Sequence, residues 1–146
     1  MEKEKQLSFI ILNFKSRDLL RDCLDSIYSN ANGIDFEIII INNDTPALNL
    51  EGGVKIINSE NNSGFGKSCN IGAKASKGKL LCFLNSDARF LTAITKTTDY
   101  LNNNYIVGIV GPRLMTQDDK IQEWSAGAEV NLWDLVKYHL RIKASK

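Results

Sequence analysis

The sequence predicts an α/β protein, a three-layer sandwich in which helices cover both faces of a mostly parallel central sheet. Three observations predict it. Short apolar runs of strand length recur along the chain, they alternate with segments of helical spacing, and most of them end in Asn, Asp, Ser or Gly. Alternating strands and helices form parallel sheets because right-handed crossovers lay each helix back on the sheet. We expect a single domain over residues 1–146, with a loosely defined tail over 114–146.

The first half of the chain predicts two strands and one helix. Leu7–Leu12 is almost continuously apolar, as expected for a strand that is buried on both faces. Ser16 is placed to cap a helix, whose apolar residues recur at helical spacing until Asn32–Gly33 ends it. Phe36–Ile41 is rich in β-branched residues and predicts the second buried strand.

The second half predicts three more strands and two more helices. Val54–Ile57 is the third strand, and a helix of small residues follows over about Gly66–Ser76. Lys79–Leu84 is the fourth strand, and a helix over Thr92–Asn103 comes next. Ile106–Val110 predicts a fifth strand, because it is β-branched and runs into a Gly-Pro turn.

Charge and cysteine spacing exclude several classes of protein. The net charge is +1 and the basic residues are scattered, so we expect no nucleic-acid binding. Cys23, Cys69 and Cys82 are odd in number and widely spaced, and His139 is the single histidine. We therefore expect buried free thiols in a reducing cytoplasm, without a disulfide framework or a zinc site. Met1–Gln6 precedes no signal-peptide pattern, and no apolar run is long enough to span a bilayer.

A glycine-containing stretch, Asn61–Gly72, includes the Gly-Lys-Ser that ends a P-loop. A P-loop also needs a glycine five residues before its Gly-Lys pair, and Asn61 stands there. The dinucleotide pattern G-x-G-x-x-G fails at its third glycine, where the chain has Cys69. Both of those loops normally follow the first strand of their unit, whereas this one follows the third. The stretch is therefore neither kind of phosphate loop.

Polar residues follow each of the first four predicted strands. In an open α/β sheet, ligands bind beyond the carboxyl ends of the strands. Asparagine can read a base edge or a ribose hydroxyl, and glycine lets the backbone approach a ligand closely. Each cluster alone is ordinary turn chemistry, but four at one edge favour a binding site. The four clusters are Asn13, Asn42–Asp44, Asn61–Gly64 and Asn85–Asp87.

Asp87 is the single most informative residue for chemistry. It follows an apolar strand, two residues after Asn85. Its carboxylate can offer a hard oxygen to Mg²⁺ or Mn²⁺, which take few protein ligands and complete their shell with water and substrate phosphates. The alternative that spacing leaves open is an aspartate of the turn or a helix N-cap.

The stretch Asn61–Asp87 resembles glycosyltransferases of family 2 with the GT-A fold, especially their rhamnosyltransferase-like branch. It is similar to that branch's N-x-G-F-x-x-x-x-N-x-G followed by G-x-x-L-x-F-L-N-x-D. Ser8–Phe14 is similar to the branch's first strand, Ile38–Asp44 to its V-D-N-x-S turn, and Gly111–Leu114 to its G-P-x-L. The resemblance covers about residues 7–122. It implies a Rossmann-like nucleotide-diphospho-sugar transferase fold.

The resemblance also implies an activity and its site. It implies inverting transfer from a UDP- or dTDP-sugar donor to a saccharide or lipid-linked acceptor, in cell-surface polysaccharide or glycoconjugate synthesis. Asp87 would bind the Mg²⁺ or Mn²⁺ that bridges the donor diphosphate, and Asn85 occupies the first position of the family's D-x-D. The other donor-binding residues that it implies are Leu12, Asn13 and Phe14 beside the base and ribose, Asn42, Asn43 and Asp44 on the base, and Gly64, Phe65 and Asn70 around the nucleotide and sugar.

The chain departs from the family in three respects. Asn42 stands where many relatives carry an aspartate, and Asn85 replaces the first aspartate of D-x-D. The acceptor-binding half, which carries the general base, does not appear before Lys146. The alternative function is therefore a non-catalytic or partner-dependent nucleotide-sugar-binding module without its own base. A third option, a plain Rossmann-type oxidoreductase, is disfavoured because the chain lacks the glycine fingerprint of that class. The carboxylates that match no family base are Asp118, Asp119, Glu123, Glu129 and Asp134.

A basic, aromatic helix is predicted over Asn131–Ile142. Such a helix can lie on a membrane surface, where many transferases meet lipid-linked acceptors. It can instead pack on the sheet, on the missing half, or on a second copy of the chain in a homodimer, and we favour packing. The expected location is the cytoplasm, with peripheral contact at the inner face of the membrane as the alternative. The residues that fall on one helical face are Leu132, Leu135, Val136, His139 and Leu140.

Overall fold

The computed structural model describes residues 4–50, 52–59 and 62–122. The chain divides into two compact units, Met1–Gly108 and Ile109–Lys146. In the second unit, residues 109–122 contain one isolated antiparallel bridge between Met115 and Ile121. The elements of the first unit are β1 Lys5–Asn13, α1 Arg17–Asn30, β2 Phe36–Asn42, β3 Lys55–Asn58, α2 Phe65–Ala75, β4 Gly78–Asn85 and α3 Thr95–Asn103.

The four strands form one parallel sheet in the order β3-β2-β1-β4. β1 is central, and its Ile10 pairs with Ile39 of β2 on one side and Phe83 of β4 on the other. Nearly every residue of β1 and β2 after the first two is buried, which is why their sequences are continuous apolar runs. The predicted α/β class with a parallel sheet is confirmed.

Helices cover the two faces of the sheet and create two apolar cores. On one face, Phe9 and Ile11 of β1 pack with Leu20, Cys23 and Ile27 of α1. The opposite face has its own cluster under α2. This arrangement gives the three layers that the sequence predicts. The buried members of the second core are Ile10, Leu12, Ile39, Ile41 and Cys69.

Within residues 4–122, as far as they are described, the helices cover the outer strand β4 on one face only. Its residues alternate between half-buried and exposed, and Leu81 and Phe83 are among the exposed ones. The expectation of a fourth strand is therefore confirmed, but its burial is partial. The reason is topological, because β4 lies at the end of the sheet and α2 packs against β1 and β2.

At its start, β4 is held very close to β1. The N–H of Gly78 donates to the Ser8 hydroxyl oxygen at 2.8 Å, and Ser8 donates in turn to a carboxylate oxygen of Glu37 at 2.6 Å. The same Glu37 oxygen accepts the backbone N–H of Lys77. A Cβ atom at position 78 would lie 2.4 Å from the Ser8 backbone nitrogen. Glycine is therefore required where the two strands first meet.

The predicted fifth strand is wrong. Residues 105 and 106 form a turn and residues 107–110 have no regular structure. A strand is stable only when its backbone groups find a partner, and among the residues described here none pairs with this run. Its β-branched sequence therefore does not decide its conformation. The predicted helix over Asn131–Ile142 lies outside the described residues.

Candidate donor site at the carboxyl edge of the sheet

The carboxyl ends of all four strands meet at one edge of the sheet. Register places Asn13 of β1 beside Asn42 of β2, and Asn42 beside Asn58 of β3. On the other side, Leu12 of β1 pairs with Asn85 of β4. The predicted strand-end residues are thus brought together, as parallel pairing requires. Asn58 also belongs to this edge, although the sequence analysis did not single it out.

Three asparagine side chains form a hydrogen-bonded row along this edge. Asn13 Nδ2 donates to Asn42 Oδ1 at 2.8 Å, and Asn42 Nδ2 donates to Asn58 Oδ1 at 2.8 Å. Asn42 Nδ2 also donates to the backbone oxygen of Asp44 at 3.0 Å. Both Asn13 and Asn42 are 0 % exposed. Both polar atoms of the Asn42 side chain are therefore hydrogen-bonded to other groups of the protein.

The row continues at both ends through other residues. Asn58 binds both backbone groups of Leu48, accepting from its N–H at 2.8 Å and donating to its oxygen at 3.2 Å. At the opposite end, the Ser16 hydroxyl lies 3.4 Å from Asn13 Oδ1 and 2.5 Å from the hydroxyl of Ser86. Ser16 occupies the N-cap position of α1 but makes no side-chain cap bond. The predicted cap is therefore wrong, because this hydroxyl bonds across to the end of β4 instead.

The loop after β2 is tied to the segments on either side of it. Asn43 Nδ2 donates to the Ser68 hydroxyl of α2 at 2.7 Å, and Ser68 donates to the Gly64 oxygen at 2.8 Å. The Asp44 carboxylate accepts the backbone N–H of Thr45 at 2.9 Å and that of Lys15 at 3.3 Å. Ser68, the serine of the Gly-Lys-Ser triplet, is fully buried. Its hydroxyl is thus used inside the protein, in agreement with the exclusion of a P-loop.

The other predicted site residues are divided between exposed and buried positions. Phe14 is 44 % exposed and Phe65, the first residue of α2, is 59 % exposed. Gly64 precedes Phe65 with a φ of +77°, a conformation that favours glycine. Leu12 and Asn43 are buried with the asparagine row, and Asp44 is half-buried. The other predicted site residues, all exposed, are Asn70, Asn85 and Asp87.

Asp87 lies beside the start of α1. Burial, and to a smaller extent the Cys82 thiol and the Asp87 carboxylate, raise the pKa of the Cys23 thiol to about 12. Cys23 Sγ is also 3.8 Å from the backbone oxygen of Asn85. The turn that carries Asp87 therefore leaves β4 on the α1 side of the sheet, and the Ser16–Ser86 contact holds it there.

The donor set at this turn fits a divalent cation that is shared with a substrate. Among the described residues, no group of three or more His, Cys, Asp or Glu side chains could hold a metal ion by itself. Asp87 and the Asn85 amide supply hard oxygen atoms, which Mg²⁺ and Mn²⁺ prefer. Such ions are commonly bound by one or two carboxylates together with substrate phosphates. The residues present therefore fit a cation that is shared with substrate phosphates.

Comparison with known proteins identifies the family. Residues 8–145 match the family model described as glycosyl transferase family 2. The chain belongs to this family. No curated protein sequence matches the chain significantly. Within the described residues, no helix has the length and apolar character needed to cross a membrane.

Solved structures of glycosyltransferases share the fold. The chain is similar to TarS of S. aureus, in a structure of its residues 1–349, with a TM-score of 0.58 and 18 % identity over 68 % of this chain. A second TarS structure gives a TM-score of 0.59 and 18 % identity over 77 % of this chain. A mannosyltransferase of Pyrobaculum calidifontis, in complex with GDP-Man and Mn²⁺, gives a TM-score of 0.55 and 12 % identity over 67 % of this chain. The family 2 chain spans 33 %, 24 % and 32 % of these three chains, respectively.

Proposed function

We propose that this chain is the donor-binding part of a metal-dependent, inverting glycosyltransferase that uses a nucleotide-diphosphate sugar. The observation that carries the proposal is the meeting of four polar strand ends at one edge, with Asp87 exposed at the end of β4. Open α/β sheets bind nucleotides at this edge. Membership of glycosyl transferase family 2 supplies the reaction class.

Buried and exposed residues of the edge have different roles in this proposal. The exposed side chains of Phe14 and Phe65 contact the donor through their rings, and Gly64 allows its backbone to approach. Asn70 and Asn85 offer amide groups to the sugar and the diphosphate. The buried residues lie behind them and shape the base and ribose side of the pocket. These are Leu12, Asn13, Asn42 and Asn43, with half-buried Asp44 at the border.

Asp87 would hold the Mg²⁺ or Mn²⁺, with Asn85 beside it. When bound, that ion would neutralise the negative charge that develops on the departing diphosphate. The donor base would be that of UDP or dTDP. The complex of the Pyrobaculum mannosyltransferase with GDP-Man and Mn²⁺ supports a nucleotide-sugar and metal pair at this fold.

The acceptor and the setting follow from the same proposal. The acceptor would be a saccharide or a lipid-linked saccharide of cell-surface polysaccharide or glycoconjugate synthesis. Such acceptors would place the protein in the cytoplasm or at the inner face of the membrane. The predicted amphipathic segment over 131–142 would then contact lipid or a second copy of the chain.

The second candidate is a module that binds the donor without catalysing transfer. Transfer requires a base to take the proton from the acceptor hydroxyl. Among the carboxylates of residues 109–122, Asp118 and Asp119 are exposed and match no family base. A transfer assay separates the two candidates: release of nucleoside diphosphate that depends on added acceptor supports the enzyme, and its absence in a chain that binds donor supports the module.

Calorimetric titration with UDP and dTDP, each with and without Mn²⁺, tests the proposal. We expect one nucleotide to bind, with an affinity that Mn²⁺ raises. Asp87→Ala should lose this Mn²⁺-dependent gain, so that nucleotide affinity in the presence of Mn²⁺ falls at least roughly tenfold, as when a metal-supporting residue is removed. Asp99→Ala, which removes an exposed carboxylate from α3, is the matched control and should bind like wild type. Nucleotide binding that is absent, or unaffected by both Mn²⁺ and Asp87→Ala, would refute the proposal.

A further inference from the structure

The hydrogen bonds at the carboxyl edge form a chain with a defined direction. Asn58 is anchored by the backbone of Leu48, whose N–H must be met by Oδ1 and whose oxygen must be met by Nδ2. Asn58 therefore presents Oδ1, an acceptor, to Asn42. The backbone oxygen of Asp44 is a second acceptor at the same side of Asn42. Asn42 must face both of them with its Nδ2 group.

This orientation of Asn42 dictates the rest of the row. Its Oδ1 is left to accept from Asn13 Nδ2, and Asn13 then turns its own Oδ1 toward the Ser16 hydroxyl. The Ser16 hydroxyl is within reach of Asn13 Oδ1 and the Phe14 oxygen, and either hydroxyl can donate in its shorter contact with Ser86. From Asn13 to Leu48 beyond β3 the donors run in one direction, and the Ser16–Ser86 contact joins this chain to the turn that carries Asp87. Aligned hydrogen bonds of this kind strengthen one another.

We propose that Asn42 is a positioning residue of the donor site, whose buried amide fixes the direction of this chain and so holds the β1, β2 and β4 ends, including the turn of Asp87, in one arrangement. This inference rests on the proposed function. Asn42 acts by holding other residues in place and does not contact the nucleotide base. Its side chain is 0 % exposed, and both of its polar atoms have protein partners.

The same geometry explains why this chain has an asparagine at position 42. An aspartate there would accept from Asn13, but its second oxygen would face Asn58 Oδ1 and the Asp44 oxygen with no proton to share. Reversing Asn58 would not help, since the Leu48 N–H would then meet an amide donor. Only a protonated carboxyl group at this position could replace the Asn42 donor. Asn42→Asp is therefore a substitution whose effect must depend on pH.

The proposal predicts the pH profile of Asn42→Asp in the full chain. Burial and facing acceptors raise the pKa of the new carboxyl above its ordinary value near 4, so the folded state binds its proton more tightly than the unfolded state does. The defect is then small near pH 4–5 and grows as the pH rises through the folded pKa. At pH 8 we expect a melting temperature about 10 °C below wild type and nucleotide affinity reduced at least tenfold.

Two matched variants separate position from charge. Asn58→Asp places the same charge one step along the chain, at an exposed residue that already acts as an acceptor toward Asn42. It gives up only the 3.2 Å bond from Nδ2 to the Leu48 oxygen, so its loss should be less than half as large. Asn102→Asp adds the charge to the exposed surface of α3 and should match wild type. The charged residues on the segments that meet at this edge include Asp44 after β2, Lys15 after β1 and Lys67 in the first turn of α2, and all variants retain them.

The experiment measures melting and binding of UDP or dTDP with Mn²⁺ from pH 5 to 8. Loss at pH 8 that recovers toward pH 5 in Asn42→Asp alone supports the proposal. Equal losses in Asn42→Asp and Asn58→Asp, or a loss independent of pH, overturn it. If Asn42→Asp is unfolded throughout, Ser16→Ala decides, since cutting the chain there should weaken binding threefold or more while melting shifts by less than about 3 °C. Unchanged binding in Ser16→Ala overturns the proposal. If the wild-type protein binds no nucleotide, the proposed function is refuted, and the melting temperatures of the variants then test the hydrogen-bond chain by themselves.

Discussion

Replacement of Gly78 by alanine tests how closely β1 and β4 are held at their first contact. The added Cβ would lie 2.4 Å from both the backbone nitrogen and the hydroxyl oxygen of Ser8, and 2.7 Å from the backbone carbon of Leu7. Ordinary carbon contacts of this kind are about 3.5–4 Å. The strands would have to separate by about 1 Å, although Ser8 is fully buried and paired on both sides.

The expected loss of stability in Gly78→Ala has two parts. Overpacking a buried site costs about 1–3 kcal/mol, and weakening the bond from Gly78 N–H to the Ser8 hydroxyl costs about 1 kcal/mol. We therefore expect a decrease of about 2–4 kcal/mol in the free energy of unfolding, against a total of about 5–15 kcal/mol for a typical domain. Urea denaturation followed by circular dichroism measures it.

Gly66→Ala is the matched control. A Cβ at Gly66 would meet nothing within 4 Å, and the residue lies in the first turn of α2. Alanine is a better helix former than glycine, so this variant should be neutral or more stable by up to about 1 kcal/mol. If Gly78→Ala unfolds at the same urea concentration as Gly66→Ala, the close approach of the two strands is refuted.

Two other pairs of side chains give further expectations. Phe9→Ala should destabilise by about 3–5 kcal/mol because Phe9 is 0 % exposed, whereas Phe65→Ala should leave the urea midpoint nearly unchanged and weaken donor binding in a titration. Burial raises the pKa of Cys23 to about 12 and that of Cys82 to about 11, from an ordinary 9.0. The unfolded chain therefore loses these protons first, and the free energy of unfolding should fall between pH 9 and pH 11. Timed alkylation at pH 8, read by mass spectrometry against a denatured control, should show slow reaction of Cys23, and rapid labelling of Cys23 would contradict its burial, whereas Cys82 is only half-buried.

The sequence predicts the strands and helices of the first unit well, because their signals are local. Continuous apolar runs define β1 and β2 to within two residues at either end, and Gly33, with a φ of +82°, follows α1 closely. Parallel topology then brings the polar strand ends to one edge without any further information. The residues around Asn13, Asn42 and Asn85 are thus predictable as neighbours from pattern alone.

Features that depend on a distant partner are not predictable in this way. Ile106–Val110 has the composition of a strand, but pairing and not propensity decides whether a strand forms. Ser16 has the position of a cap, yet its hydroxyl bonds to Ser86 of a segment far along the chain. The orientation of the Asn42 amide is set by backbone groups of Leu48 and Asp44, which only the folded loop places. The closing asparagine of β3 could have been found by extending the strand-end pattern to Asn58.

The central position of β1 has a consequence for how the protein is made. β1 precedes both of its partners along the chain, since β2 follows α1 and β4 follows α2. Until these partners are synthesised, its apolar residues and backbone groups have no native neighbour, and such exposed strands are prone to aggregate. Non-local parallel pairing is also slow to form. In the nascent chain, β1 therefore gains its second native neighbour only after residue 85 has been translated.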